Sequence, residues 1–115
     1  GMSELREVNL ERGMPTAQAA LSLLALELRR SRSMGDAALK IIHGYGSTGK
    51  GGKIRVQARG RLERMKGAGE IRGYIPGEEF SIFNPATLEA FRRCGALRKD
   101  PDLERHNNGV TIILL

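Results

Sequence analysis

The sequence predicts a two-layer α/β (α+β) domain in which one sheet carries both long helices on one face, and three observations predict it. Apolar residues at helical spacing mark two long segments, β-prone runs stand before, between and after them, and an apolar run closes the chain. Strand–helix–strand–helix–strand followed by a final strand buries both helices against a single sheet. At 115 residues and 40% hydrophobic content there is chain for one domain, 1–115, with enough apolar surface to fold without staples.

The elements follow in order. A short tail, 1–7, leads into Val8-Asn9-Leu10, a strand that Gly13-Met14-Pro15 ends. Thr16 is placed to cap the next helix, because its hydroxyl can accept from a first-turn amide. From Ala17 to about Arg32, Leu21, Leu24 and Leu28 recur at helical spacing, Leu23 and Leu26 widen the apolar face, and Gly35 stands where a left-handed residue stops a helix. Ala38-Leu39-Lys40-Ile41-Ile42 is the second strand, and it runs directly into a glycine-rich loop, 43–52. A second helix is expected from Lys53 to about Lys66, burying Ile54, Ala58, Leu62 and Met65. Gly60 in its interior costs about 1 kcal/mol relative to alanine. Glu70 to Ile75 is the third strand, and Glu79 to Phe83 either extends the sheet or forms a flap. Asn84-Pro85 caps and opens a short helix carrying Leu88, Phe91 and Cys94. Arg98 to Gly109 is polar and loop-like, and Val110 to Leu115 is a buried strand.

The formal charge of +6 implies a polyanionic partner or surface. Its distribution says more than its total. Between Lys40 and Lys66 stand Lys40, Lys50, Lys53, Arg55, Arg59, Arg61, Arg64 and Lys66 against one acid, Glu63, so the whole excess is local. No stretch approaches the ~20 apolar residues needed to span a bilayer, and no membrane partner is expected. The opening Gly1 to Arg6 lacks the apolar core of a signal peptide. The single Cys94 can form neither an internal disulfide nor a cysteine metal site, and a cytoplasmic location is expected.

Glycines let backbone amides turn towards an anion, and a helix N-terminus adds unpaired N–H groups and the positive end of its dipole. With Lys50 and Lys53 beside them, the glycines between Gly44 and Gly52 suit a phosphate, the alternative being a plain flexible connection. Gly44-Tyr45-Gly46-Ser47-Thr48-Gly49-Lys50 nearly spells the nucleotide-binding pattern G-x-x-x-x-G-K-[S/T]. Gly51 stands where a hydroxyl would hold magnesium, which leaves nucleotide hydrolysis the weaker reading. His43 could touch phosphate, act as an acid or base near neutral pH, bind a metal with partners such as Glu11 or His106, or be structural. Tyr45 either stacks on a base or packs over the sheet edge. Along the second helix, six cations from Lys53 to Lys66 face one acid, which is too lopsided for salt-bridge lacing.

Ile41-Ile42-His43-Gly44-Tyr45-Gly46, followed by a glycine-rich turn and a helix, resembles the H-G-x-G motif of the Smr (small MutS-related) domain. The opening Val8-Asn9-Leu10, the long helix and the closing Asn108-Gly109-Val110-Thr111-Ile112-Ile113 fall in the matching order, over roughly Val8 to Ile75 and the last strand. The resemblance implies a mixed four-stranded sheet with two helices on one face, similar to the C-terminal domain of translation initiation factor three. It implies DNA or RNA as partner, in DNA repair or recombination or in RNA and ribosome quality control. Phosphates would be held by Gly44, Tyr45, Gly46, Ser47, Thr48, Gly49, Lys50, Gly51 and Gly52 together with Lys53, Arg55 and Arg59. The alternative it carries is an endonuclease nicking DNA or cleaving RNA, with His43 and Glu11 as catalytic residues and Mg²⁺ or Mn²⁺ as cofactor.

Two departures stand out. The family's Leu-Asp-x-His is here Val8-Asn9-Leu10-Glu11, so an amide replaces the aspartate and a carboxylate replaces the histidine. Asn9 is no base, and Glu11 is a poorer acid–base group at neutral pH unless burial raises its pKa. The second is the long stretch Glu78 to Asn108 before the last strand, expected as a lid, a partner-binding insertion or added substrate contact. A reading from another class is a protein-interaction module, with the basic face docked on an acidic protein and Phe80 to Cys94 supplying apolar anchors.

Overall fold

Period-two alternation along the strands sorts the apolar side chains of the sheet into two sets, and each set recruits its own cover. The computed structural model describes residues 5–45 and 50–115. Within these, β1 (Leu5–Asn9), α1 (Ala17–Met34), β2 (Ala38–Ile42), α2 (Lys50–Gly67), β3 (Gly73–Pro76), α3 (Pro85–Arg93) and β4 (Val110–Leu114) follow in order, with short 3-10 turns at Gly77–Glu79 and Gly95–Lys99. The sheet has four strands in the order β1-β2-β4-β3. It is mixed: β1 runs parallel to β2, whereas β4 is antiparallel to both β2 and β3.

One face presents Val8, Leu39, Ile41 and Ile113 to α1 and α2, which bury Leu21, Leu24 and Leu28, and Ile54, Ala58 and Leu62, against them. The expected arrangement of two long helices on one face is therefore the one observed. Thr16 caps α1 by accepting from the Ala19 amide at 3.1 Å, and Gly35 ends it in the left-handed region at φ 75°. The other face presents Ala38, Ile75, Ile112 and Leu114 to Phe80, Ala90, Phe91 and Leu97. The stretch expected as a lid or insertion, Glu78 to Asn108, is thus a cover for the far side of the sheet. Phe80, Phe91 and Cys94 are buried within it, so they are not available as docking anchors. The large exposed apolar residues there are Ile82, Phe83 and Leu88.

A buried lysine fastens this cover. Lys40, on β2, reaches into the far face and is only 2% exposed. Its ammonium donates to Asp100 Oδ1 at 2.9 Å, pairs with Asp102, and lies 3.6 Å from Glu7. Burial alone would lower the Lys40 pKa, but the bonds to Asp102 and Asp100 outweigh it and hold the group above its ordinary value.

Three boundaries differ from expectation. β1 begins at Leu5, so Leu5 to Glu7, expected in the tail, belong to the sheet. Parallel pairing from Leu5 opposite Ala38 holds them, and the Arg6 guanidinium donates to Glu27, Ser31 and Asp36. The second helix starts at Lys50, three residues earlier than its apolar spacing indicated. β3 is confined to Gly73–Pro76, with Glu70 to Arg72 in the turn before it, because pairing with β4 runs from Gly73 opposite Leu114 to Pro76 opposite Thr111. Among the described residues no helix is long and apolar enough to cross a membrane.

Candidate nucleic-acid interface

The mixed sheet brings five chain segments to one end. The parallel strands β1 and β2 finish there, β4 starts there, β3 ends there in Gly77–Glu79, and α2 begins beyond the loop that follows β2. Clefts at the carboxyl ends of parallel strands are where open α/β sheets place ligands.

After β1, the Asn9 side chain accepts from the Glu11 amide at 2.8 Å and shapes the turn that presents Glu11. Leu10 N–H still bonds to Ile42 O at 2.8 Å, which keeps this turn beside the end of β2. Gly44, at φ +71°, meets it: a Cβ there would lie 2.1 Å from Glu11 Oε2. The left-handed backbone is what favours glycine here, since the Glu11 carboxylate is the far end of a flexible side chain that can swing aside. The amides of His43 and Gly44 both donate to Gly109 O, at 2.9 and 3.0 Å, tying this corner to the start of β4. A Cβ on Gly109 would meet the Tyr45 ring at 3.2 Å, yet Tyr45 remains 59% exposed.

His43 points the other way. Its ring is fully buried on the helix-covered face. Nδ1 lies 2.7 Å from Gly44 O and Nε2 lies 2.8 Å from Thr111 Oγ1. A carbonyl can only accept, so Nδ1 carries the proton, and Nε2 accepts from the Thr111 hydroxyl. The same hydroxyl oxygen accepts from Arg59 Nε at 3.0 Å, and the rest of the Arg59 guanidinium pairs with both oxygens of Glu78 at 2.8 Å each. The chain Glu78–Arg59–Thr111–His43–Gly44 thus links α2 and the end of β3 to the glycine corner through aligned hydrogen bonds. Burial, reinforced by the charges of Arg59 and Arg55, depresses the His43 pKa from 6.5 to about 4, so the imidazole is neutral at pH 7. Glu78 is pushed up by burial but pulled down further by its bond from Arg59, and stays ionised.

The structure therefore brings Glu11, His43, Gly44 and Tyr45 to one corner, with Gly52, Lys53 and Arg55 in the first turns of α2. Gly46, Ser47, Thr48 and Gly49 lie outside the described residues, as do the side chains of Lys50 and Gly51. Arg59 reaches the corner from within, its guanidinium taken up by Glu78 and the Thr111 hydroxyl. Both imidazole nitrogens of His43 are engaged as well. Mg²⁺ or Mn²⁺ would need several oxygen ligands. Among the described residues no three His, Cys, Asp or Glu side chains stand close enough together to hold a metal between them.

Two contributors escaped the sequence reading. Thr111 was signalled only as a hydroxyl in an otherwise apolar strand, and Glu78 carried no signal beyond following a strand. The α2 cations divide differently from their even appearance in the sequence. Lys53, Arg55, Arg61, Arg64 and Lys66 make no ion pair among the described residues. Glu63, the one acid among them, accepts from the Tyr74 hydroxyl at 2.8 Å instead.

No family model matches the sequence, and no curated protein sequence matches it. Among solved structures, the Smr domain of Thermus thermophilus MutS2 is similar, with a TM-score of 0.59 and 24% identity over 96% of each chain.

Proposed function

We propose that this chain, which has the fold of an Smr domain, is a nucleic-acid-binding module that grips phosphates at the N-terminal half of α2 and the glycine-rich turn before it. The observation that carries the reading is the set of α2 cations without carboxylate partners among the described residues, Lys53 and Arg55 in the first turns beside the glycine corner and Arg61, Arg64 and Lys66 extending the same positive field along the helix. A solvated helix face is normally laced with acids. Here the single acid is bonded elsewhere, and the positive field is left for an external anion. Phosphate contacts give affinity without reading sequence, so preference among partners follows from shape. The exposed ring of Tyr45 offers a stacking surface beside the phosphate grip.

The residues that a hydrolytic role would use support it less well. His43 is buried and neutral with both nitrogens bonded, and Asn9 acts as a turn cap. They fit positioning roles, holding the corner for binding. The test is fluorescence anisotropy with DNA and RNA oligonucleotides across a salt series. Lys53→Glu with Arg55→Glu is expected to lower affinity at least tenfold for every sequence and to flatten log Kd against log salt by about two contacts, each worth about 0.7 to 0.9 in slope. Affinity and slope unchanged by the pair would remove α2 from the interface, and absence of binding by the wild-type chain at moderate salt would end the reading.

A further inference from the structure

We propose that the groove between α1 and α2 carries the backbone of a single-stranded nucleic acid away from the glycine corner. The inference rests on the nucleic-acid reading above and adds strandedness and a path to it.

Helices α1 and α2 pack side by side, and between them runs an open groove of about 890 Å³. Lys53, Arg61 and Arg64 line it from α2, with the amides of Gln18 and Gln57 between them. It continues past Arg61 into a second hollow of about 240 Å³, where Arg29 and Arg32 stand over Leu28 and Met65. The two hollows share Arg61, so the cations form one track, starting at Lys53 beside the glycine corner. Along α2 alone, Lys53 to Arg64 spans about 17 Å at ~1.5 Å per residue. Glu70 is the one acid lining either hollow, and its backbone carbonyl accepts from Arg32.

The floor of the groove supplies an independent observation. Gly60 lies in the middle of α2, where glycine costs about 1 kcal/mol relative to alanine. Nothing among the described residues requires it: its backbone is not left-handed, and an added Cβ would meet only Arg64 Nη1, at 3.6 Å. The fold therefore bears a helix-weakening residue whose one structural effect is to leave the groove floor bare. Val56, 64% exposed, sits in the same wall and offers apolar surface to a sugar.

Width selects the occupant. Packed helix axes lie about 8–10 Å apart, and the groove between them is narrower than a DNA double helix, whose major groove alone is about 12 Å wide. A duplex would touch only the rim. One strand can lie within it, with its phosphates in reach of guanidinium forks that match phosphate geometry.

The test uses the full chain, with labelled single-stranded oligo-dT and oligo-U, a duplex of equal length, and poly-glutamate, each titrated across salt. Gly60→Leu leaves the charge unchanged and fills the floor; it is expected to weaken single-strand binding at least tenfold while duplex affinity stays within twofold. Arg61→Gln with Arg64→Gln, a pair that leaves the packed core untouched, should lower the single-strand salt slope by about 1.4, two contacts at about 0.7 each. Gly60→Ala, whose methyl begins to fill the floor, should melt higher and bind single strands more weakly than the wild type but more tightly than Gly60→Leu. Should Gly60→Leu fail to fold by circular dichroism, the arginine pair decides alone. Wild-type binding with unchanged single-strand affinity in these variants overturns the groove and leaves the corner standing, as does an equal loss for duplex. Poly-glutamate binding as tightly as oligo-dT, with the same dependence on Arg61 and Arg64, overturns it in favour of an acidic protein. No wild-type binding to any oligonucleotide sinks the underlying reading instead.

Discussion

Acidifying the protein from about pH 7 to about pH 5 should weaken the fold through one side chain, His43. Its pKa falls from 6.5 to about 4 because the ring is buried and lies near the positive charges of Arg59 and Arg55. Between these two values the unfolded chain binds a proton that the folded chain does not. Stability is therefore fully present above about pH 6.5 and declines as pH falls towards 4, at about 1.4 kcal/mol per pH unit. Over the whole interval the loss is about 3 kcal/mol, and by pH 5 it is about 2 kcal/mol, a large share of the ~5–15 kcal/mol that holds a domain together. Glu78 and Asp102, whose pKa values are lowered, titrate below the ordinary carboxylate range and leave the upper part of this window to His43. Urea melts at half-unit steps from about pH 7.5 to 5 measure the slope, and an NMR titration of the His43 ring measures its pKa directly. The NMR spectrum also reports the tautomer, with the proton expected on Nδ1. Stability flat across this range, a His43 ring titrating near 6.5, or the same slope in His43→Gln would each refute the argument.

Two further perturbations test the frame that holds the corner. Lys40→Met removes an ammonium that is 2% exposed and leaves Asp100, 5% exposed, without its partner; breaking a buried pair in this way costs about 3–5 kcal/mol, read as a lower urea midpoint, and a loss under 1 kcal/mol would mean that water already reaches the site. Gly77→Ala places a Cβ 2.0 Å from Asn107 O and 2.6 Å from Val110 Cγ2, so the turn after β3 must part from β4, and the variant should lose several kcal/mol or fail to accumulate folded; a wild-type melting temperature would refute the close approach.

How much of this was legible in the sequence depends on whether a signal was local. Thr16, Gly35 and the leucines of α1 announce that helix from its own residues, since caps and periodicity act within a few positions. The glycine corner was legible for the same reason, because Gly44 and its neighbours must serve a turn. The cover over the far face was not. Phe80, Phe91 and Leu97 bury themselves against Ile75 and Ile112, which are β3 and β4 residues that the far-face cluster collects only in three dimensions. The partner of Lys40 was equally hidden: the residue reads as one more cation in a basic stretch, and only the packing of the segment around Asp100 over the far face of β2 shows it to be internal.

The same distinction separates the cations that hold the site from those that face outward. By sequence, Arg59 and Lys40 look like Lys53 and Arg61. In the structure the first two are matched to carboxylates at 2.8 and 2.9 Å, and the latter two have no such match among the described residues. A matched charge fixes geometry, because the desolvation it has undergone is offset only if its partner stays in place. An unmatched charge is solvated and available, and its energy is realised only when an anion arrives. Arg59, pairing with Glu78 and bonding through Thr111 to His43, therefore sets where the glycine corner stands, while the proposed function assigns the attraction for phosphate to Lys53, Arg61 and Arg64. Substituting the first group should change stability and the shape of the corner together. Substituting the second should change affinity and salt dependence while the melting temperature holds, and that split is what the proposed phosphate grip, built on a frame of internal ion pairs, predicts.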